Sequence, residues 1–265
     1  MSEDKITLGV FGGSGFYSLF SEAEERVVET PYGAPSNKVV VGMINGKKVA
    51  FMPRHGANHQ YPPHMINYRA NLWAMKSLGV ERLISPCAAG SLKKEAAPGD
   101  FVICDQYIDR TSGRKDTFYD GPVSTHVSAA EPYCPQMREL AYKAGLACKI
   151  KMHSEGTVVV IQGPRFSTRS ESRWFSNQGW TVVNMTQYPE AHLARELSMC
   201  VVNISLVTDY DAGLLGEVEP VSHAQVVAVF NSNLDKLKNM LSHLIDSVPQ
   251  ERKCTCKDTL LHARL

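Results

Sequence analysis

The 265-residue chain lacks the features that mark membrane proteins, nucleic-acid binders and secreted domains. No run of about 18 or more uninterrupted apolar residues occurs, so no obvious membrane-spanning helix is present. Lysine plus arginine (28) nearly cancel aspartate plus glutamate (27), and no dense Lys/Arg block appears. The electrostatic footprint of a nucleic-acid binder is therefore missing. Met1-Ser2-Glu3-Asp4-Lys5 is polar and leads straight into an apolar stretch, without the apolar core of a signal peptide. A cytoplasmic location is expected, with neither nucleic acid nor membrane as partner. No internal repeat, low-complexity linker or composition break divides the chain. A single domain over residues 1–265 is expected, with a tail from about residue 249.

Cysteine is sparse. Positions 87, 104, 134, 148 and 200 sit in apolar contexts and read as small buried hydrophobes. Cys254-Thr255-Cys256 in the tail is different. A zinc site needs four ligands, usually as two pairs, and the sequence shows no second pair. No metal is therefore expected. A bridge from the tail to Cys200 or Cys134 stays open, and an inert tail is the commonest outcome for such a pair.

What is present is an alternation of strand-like and helical patterns. Residues 6–11 form an apolar run ending in Gly12-Gly13-Ser14-Gly15, a strand and a tight turn. Residues 38–44 and 48–52 flank Asn45-Gly46, a hairpin signal. Helical spacing covers 67–78 and stops at Gly79, and further helices are expected over 135–145, 168–178 and 190–198. A long amphipathic helix is expected over 222–248. Short buried strands are expected at 80–85, 156–161, 182–185 and 201–207, and a strand pair at 101–104 and around Ile108. The pattern implies an α/β fold, a central mixed β-sheet flanked by helices. In such sheets ligands bind beyond the carboxyl ends of strands. Ser14, Cys87-Ala88, Gly163-Pro164, Met185-Thr186 and Asp209 all follow expected strands, so they should converge on one rim.

The residue types on that rim suggest two services. The Gly12–Gly15 turn frees backbone N–H groups and adds a hydroxyl, which suits an anion. It is not a dinucleotide fingerprint, because the G-x-G-x-x-G spacing is absent. Arg54-His55 supplies a charge-assisted fork for phosphate, although such an arginine taken alone is more often a surface ion-pair partner. Thr186 precedes a helix, so its hydroxyl and N–H can also face an anion. Asp209 and Asp211, in Val207-Thr208-Asp209-Tyr210-Asp211, offer something else. A carboxyl group partly buried in an aromatic pocket can have a raised pKa and protonate a purine leaving group at N7. An ionised one can accept from an exocyclic amine. Phe166 can pack on base or sugar, or belong simply to the core.

These motifs together resemble the trimeric purine nucleoside phosphorylases, and within them the 5′-methylthioadenosine phosphorylases. The resemblance runs from about residue 8 to 248. It includes whole phrases: Thr30-Pro31-Tyr32-Gly33, Asn67-Tyr68-Arg69-Ala70-Asn71, Glu131-Pro132-Tyr133-Cys134-Pro135 and Arg165-Phe166-Ser167-Thr168-Arg169. It implies phosphate among Ser14, Arg54, His55, Ala88 and Thr186, with Cys87 where relatives carry a threonine. It implies Met185 at the ribose, Phe166 and Ser167 flanking sugar and base, and Asp209 and Asp211 reading N7 and the 6-amino group. Asp209, Asp211 and Ser167 are the expected catalytic set. His126 matches a residue reaching a neighbouring subunit's 5′ pocket, so a homotrimer is implied. No cofactor is implied beyond inorganic phosphate as co-substrate.

Ser167 and Asp209 stand where relatives that cleave inosine and guanosine carry Glu and Asn. A carboxylate repels O6 but accepts from a 6-amino group, so adenine nucleosides are favoured. His223 follows Asp209 by fourteen residues, the spacing at which relatives reading a 5′-hydroxyl place a histidine. Phosphorolysis of 5′-methylthioadenosine leads, with a broader adenosine or purine nucleoside phosphorylase as the alternative. At His223 the bland reading is a solvated residue at the start of a helix. A hydrolase of the same fold, or a nucleotide-sensing protein without the chemistry, would need fewer of these polar groups.

Overall fold

The computed structural model describes residues 6–212, 221–261 and 263–264, but not the side chain of Ser14. Strands and helices alternate: β1 (Leu8–Gly12), β2 (Ser21–Arg26), β3 (Val39–Ile44), β4 (Lys47–Pro53), α1 (Tyr68–Ser77), β5 (Arg82–Ser91), β6 (Phe101–Val102), β7 (Gln106–Arg110), α2 (Pro135–Ala147), β8 (Met152–His153), β9 (Thr157–Ile161), α3 (Arg169–Asn177), β10 (Val182–Asn184), α4 (Gln187–Glu196), β11 (Cys200–Asp209), α5 (His223–Ser232) and α6 (Leu234–Ser247). Among the described residues, no helix is long and apolar enough to cross a membrane.

The strands form one mixed sheet ordered β2-β3-β4-β1-β5-β10-β9-β7, with β11 joining β5 and β6, and β8 joining β6. β5 is its hub. Its first residues pair in parallel with β1, Leu8 to Arg82 through Val10 to Ile84. Its last pair antiparallel with β10. β11 runs parallel beside it from Arg82 to Gly90. Its burial on both faces explains why β11 reads as an almost unbroken apolar run.

Local chemistry sets several boundaries. Asn45 and Gly46 both take positive φ, 50° and 73°, as the two-residue hairpin between β3 and β4 requires. Asn67 caps α1 by accepting from the N–H of Ala70. Thr168 and Glu171 form a reciprocal capping box on α3.

Four expectations need correction. The strand expected at 80–85 runs on to Ser91, because its partner changes from β1 to β10 partway along. Cys87 and Ala88 therefore lie within the strand, not beyond it. The strand pair expected at 101–104 and Ile108 does not pair with itself: β6 joins β11 and β8, while β7 joins β9. Gly145 lies inside α2, where a Cβ would meet the Met152 Sδ at 2.3 Å. The long helix expected over 222–248 is two, divided at Asn233, whose side chain turns back to the carbonyl of Val229 at 2.9 Å.

Candidate active site

One end of the rim is built around Arg54. β4 delivers it beside the end of β1, and its N–H donates to the Gly12 carbonyl at 3.1 Å. Its side chain is buried. Nε donates to Glu190 Oε2 at 2.5 Å and Nη2 to Glu190 Oε1 at 2.9 Å, a bidentate fork. Nη2 also donates to Ser85 Oγ at 2.9 Å, and Nη1 to the Pro86 carbonyl at 3.3 Å. Of the five guanidinium hydrogens, one on Nη1 remains for another acceptor. Arg54 is thus an interior ion-paired residue and not a surface one. Glu190, Ser85 and Gln187, whose Nε2 donates to Ser85 Oγ at 2.5 Å, were absent from the sequence reading. Nothing in the sequence links residues 54 and 190; the sheet does.

His55 sits half-buried next to it. Its Nδ1 lies 2.9 Å from the Tyr61 carbonyl, which can only accept, so Nδ1 carries the proton. Burial pushes its pKa down to about 4, with Arg54 and His59 acting in the same direction against the Tyr61 bond. A neutral ring then turns an Nε2 lone pair outward. His59, also missed from sequence, stacks on His55 with ring centroids 4.3 Å apart. Its own pKa is lowered, first by burial and then by His223.

Cys87 and Ala88 follow on β5, half-buried. The Cys87 sulfur accepts from Asn184 Nδ2 at 3.2 Å and Asn203 Nδ2 at 3.3 Å. Its S–H points to Ser205 Oγ at 3.5 Å, whose own proton goes to Asn203 Oδ1 at 2.7 Å. Thr186 is buried and forms the N-cap of α4, yet its hydroxyl makes no capping bond. Met185, half-buried, abuts the turn before Phe166: a Cβ on Gly163 would come within 2.6 Å of its Sδ.

The other end holds the carboxylates. The register of β11 against β5 shifts between Val207 and Asp209, setting Asp209 opposite Gly90. A Cβ at Gly90 would lie 2.9 Å from Asp209 Oδ1, so only glycine fits beneath the carboxylate. Asp209 Oδ2 accepts from Thr208 Oγ1 and Oδ1 from the Asp211 N–H, both at 2.7 Å. Burial lifts its pKa to about 6 against those two bonds, and the neighbouring Asp211 adds to the rise. Asp211 is also raised by burial, which outweighs the nearby hydroxyls of Ser172 and Ser167. None of these three completes a hydrogen bond: Ser167 Oγ, Ser172 Oγ and Asp211 Oδ2 are buried without a partner. Unsatisfied buried polar atoms are costly, and a water or ligand reaching these three would relieve that cost. Phe166, half-buried, precedes Ser167. Ser172, on α3, carries no sequence signal as a site residue.

Three expected residues stand apart. The Ser14 side chain lies outside the described residues. His126 is exposed on the loop after β7, and its N–H donates to the Ala263 carbonyl of the tail at 2.7 Å. His223 is exposed at the first turn of α5, but on the side of His59.

A buried arginine fork and a buried carboxyl pair thus stand on one mixed sheet, each with polar atoms left over. The model of the phosphorylase superfamily matches residues 7–246. The S-methyl-5′-thioadenosine phosphorylase of Thermofilum pendens is 51% identical over 259 residues, spanning 97% of this chain and 98% of its own. The purine nucleoside phosphorylase of Streptomyces coelicolor is 47% identical over 262 residues, spanning 95% and 93%. A methylthioadenosine phosphorylase structure sourced from an antarctic soil metagenomic library superposes with a TM-score of 0.93 at 35% identity, covering 99% of this chain and 93% of that one. The chain belongs to the phosphorylase superfamily, among its nucleoside phosphorylases.

Proposed function

We propose that the protein cleaves the N-glycosidic bond of 6-aminopurine nucleosides with inorganic phosphate. The chief substrate is 5′-methylthioadenosine, giving adenine and 5-methylthioribose 1-phosphate. The observation that carries this is the pair of buried carboxyl groups with raised pKa, Asp209 and Asp211, on the same rim as the Arg54 fork. Both curated relatives named above are nucleoside phosphorylases, one of them a methylthioadenosine enzyme.

In this reading the remaining Arg54 Nη1 hydrogen and the Thr186 hydroxyl orient the phosphate, with the Cys87 S–H able to join them only by leaving Ser205 Oγ. His55 Nε2 accepts a hydrogen bond from a protonated phosphate oxygen, which keeps its proton. A phosphate oxygen bonds to C1′ as the C1′–N9 bond breaks, and that electron pair passes to the purine. Asp209 supplies the proton that the base takes up at N7. Asp211 and Ser167 hold the ring, Phe166 packs on it, and Met185 lines the ribose. No cofactor enters the reaction; phosphate is a co-substrate.

The proposal includes a homotrimer whose neighbouring subunit brings His126 to the 5′ pocket. Val123 and Leu261, near His126 in sequence or through the tail, are 54% and 69% exposed, which is costly for large apolar residues left open to water. It also includes a cytoplasmic location and a part in purine salvage. A second reading, in which adenosine is accepted as well, rests on the nearness of His223 to His59 and the anion end.

The test follows methylthioadenosine with and without phosphate. Adenine release that requires phosphate and yields a sugar 1-phosphate is expected. Release without phosphate means a hydrolase, and no release at saturating phosphate means a binding protein.

A further inference from the structure

The tail cysteines have the second pair that the sequence did not show. The sulfur atoms of Cys134, Cys200, Cys254 and Cys256 all lie within 4.8 Å of one another; Cys134, Cys200 and Cys256 are buried and Cys254 is half-buried. They arrive from three separate places. Cys134 is the N-cap of α2, Cys200 opens β11 at the end opposite Asp209, and Cys254 and Cys256 lie in the tail around the turn Thr255–Asp258. The backbone helps to fix this meeting, since the Cys134 N–H donates to the Val201 carbonyl at 2.8 Å. Cys200 Sγ and Cys254 Sγ stand 3.3 Å apart, a non-bonded separation.

Four thiolates about 2.3 Å from one tetrahedral zinc stand about 3.8 Å from each other. The cluster is already close to that spacing, with four sulfurs and no other chemistry needed. Burial disfavours a bare thiolate, but the place is prepared for negative charge. Cys134 sits where the free N–H groups of a helix start favour an anion. Arg252, Lys253 and Lys257 border the tail pair in sequence, and Arg252 is held by the Ser198 carbonyl and Glu81.

We propose that Cys134, Cys200, Cys254 and Cys256 form a structural zinc site that fastens the C-terminal tail to the starts of α2 and β11. On binding, four S–Zn bonds form, the S–H bonds break and their protons leave to solvent. No electrons are transferred, so no oxidant is needed, unlike the formation of two disulfides from the same sulfurs. All four positions are filled by protein, leaving none for substrate, which makes the site structural. Beyond Cys256 the tail runs on to pair with the His126 loop, through Ala263 to His126 and Arg264 to Thr125. A metal at the cysteines would anchor that pairing.

The test uses the full-length protein, purified under reducing conditions, loaded with zinc and dialysed against metal-free buffer. Elemental analysis should find one zinc per chain, released by a mercurial thiol reagent. Cobalt in its place should give thiolate charge-transfer absorption and the intense visible bands of a tetrahedral site. Cys254→Ser and Cys256→Ser should lose zinc to a chelator concentration that leaves the unaltered protein loaded. Cys148→Ser, outside the cluster, should keep it. Should the variants fail to fold, the zinc content and cobalt spectrum of the unaltered protein still decide. Background zinc with all four thiols free to alkylate overturns the proposal. So does an unreduced, denatured chain lighter by the hydrogens of two disulfides that map to these cysteines.

Discussion

The two ends of the site treat buried charge in opposite ways. At the anion end Arg54 is matched by Glu190 and held by Ser85 and Pro86, so four of its five hydrogens are engaged before any ligand arrives. At the base end burial is the main cause that raises the pKa of Asp209 and Asp211, and three polar atoms lie buried without partners. The first arrangement fixes geometry. A guanidinium held this way has one hydrogen left over, which the proposed reading gives to phosphate, with Thr186 and His55 supplying the rest. The second stores desolvation that only a ligand relieves, so a purine ring with matching donors and acceptors gains what the empty site lacks. Damage to the first end should therefore harm fold and function together. Damage to the second should harm function while sparing the fold.

Arg54→Ala gives the largest expected effect. Removing one partner of a buried pair leaves Glu190 uncompensated and costs about 3–5 kcal/mol of stability. Phosphate KM should rise sharply. Replacing both partners with apolar residues, Arg54→Met with Glu190→Leu, should restore much of the melting temperature but none of the phosphate affinity. If the double variant recovers phosphate binding, the anion is held elsewhere.

Asp209→Asn tests the opposite end. An amide both donates and accepts, so preference should move from 6-amino toward 6-oxo purines, read as the adenosine-to-inosine ratio of kcat/KM. Equal rates on both in the unaltered enzyme would already refute the assignment. The pH dependence has a defined sign. A carboxyl whose pKa rises on folding holds its proton more tightly in the native chain. Its contribution to stability is full at acid pH and fades as pH climbs from the ordinary value of 3.8 through about 6. The unaltered protein should thus lose up to about 3 kcal/mol across that window, and the Asn variant, which keeps the raised Asp211, should lose less. Thermal melts of both at pH 4.5 and pH 8 check this.

Much of this comparison was legible before the fold, but unevenly. Asp209 and Asp211 stand out because they end an apolar run, and that run is β11. Arg54 and His55 follow β4 for the same reason. The helix starts at Asn67 and Thr168 were readable from capping chemistry, which is local. What failed was non-local. Glu190 looks like any acidic residue in the first turn of a helix until β5 and α4 bring it to Arg54. Ser172 faces Asp211 only because α3 packs there. β2, Ser-Glu-Ala-Glu-Glu-Arg, has almost no apolar alternation, since it is an exposed edge strand paired only through backbone to β3. Its charges suit an edge that must not recruit other strands. The four-cysteine cluster escaped because its members are 54 or more residues apart except within the tail pair.

His223→Val comes next in size. The imidazole is on the side of His59, and a 5′-hydroxyl can bond to it where a thioether cannot. One hydrogen bond to this exposed imidazole is worth about 0.5–1.5 kcal/mol, or roughly two- to tenfold in relative kcat/KM. Adenosine cleavage should weaken while methylthioadenosine cleavage is spared. Measuring both substrates on both proteins gives a ratio of ratios that cancels general damage, and a value near one makes His223 a solvated helix residue.

The smallest expected effect lies at Cys87, where the anion end departs from its relatives' threonine. Its sulfur already accepts from Asn184 and Asn203, so any contact it makes to phosphate is through a weak S–H donor. A threonine hydroxyl can accept the same two amides and donate a stronger bond. Cys87→Thr should therefore lower phosphate KM by a few-fold, the worth of one ordinary hydrogen bond at about 0.5–1.5 kcal/mol. Because the rigid Arg54 fork is untouched, kcat and the adenosine-to-inosine ratio should stay as they were. A change in base preference would mean that the two ends are coupled through β5, which carries Cys87 and, three residues on, the Gly90 that lies beneath Asp209. An unchanged phosphate KM would mean that the Cys87 sulfur is turned wholly to its two asparagines and plays no part at the anion.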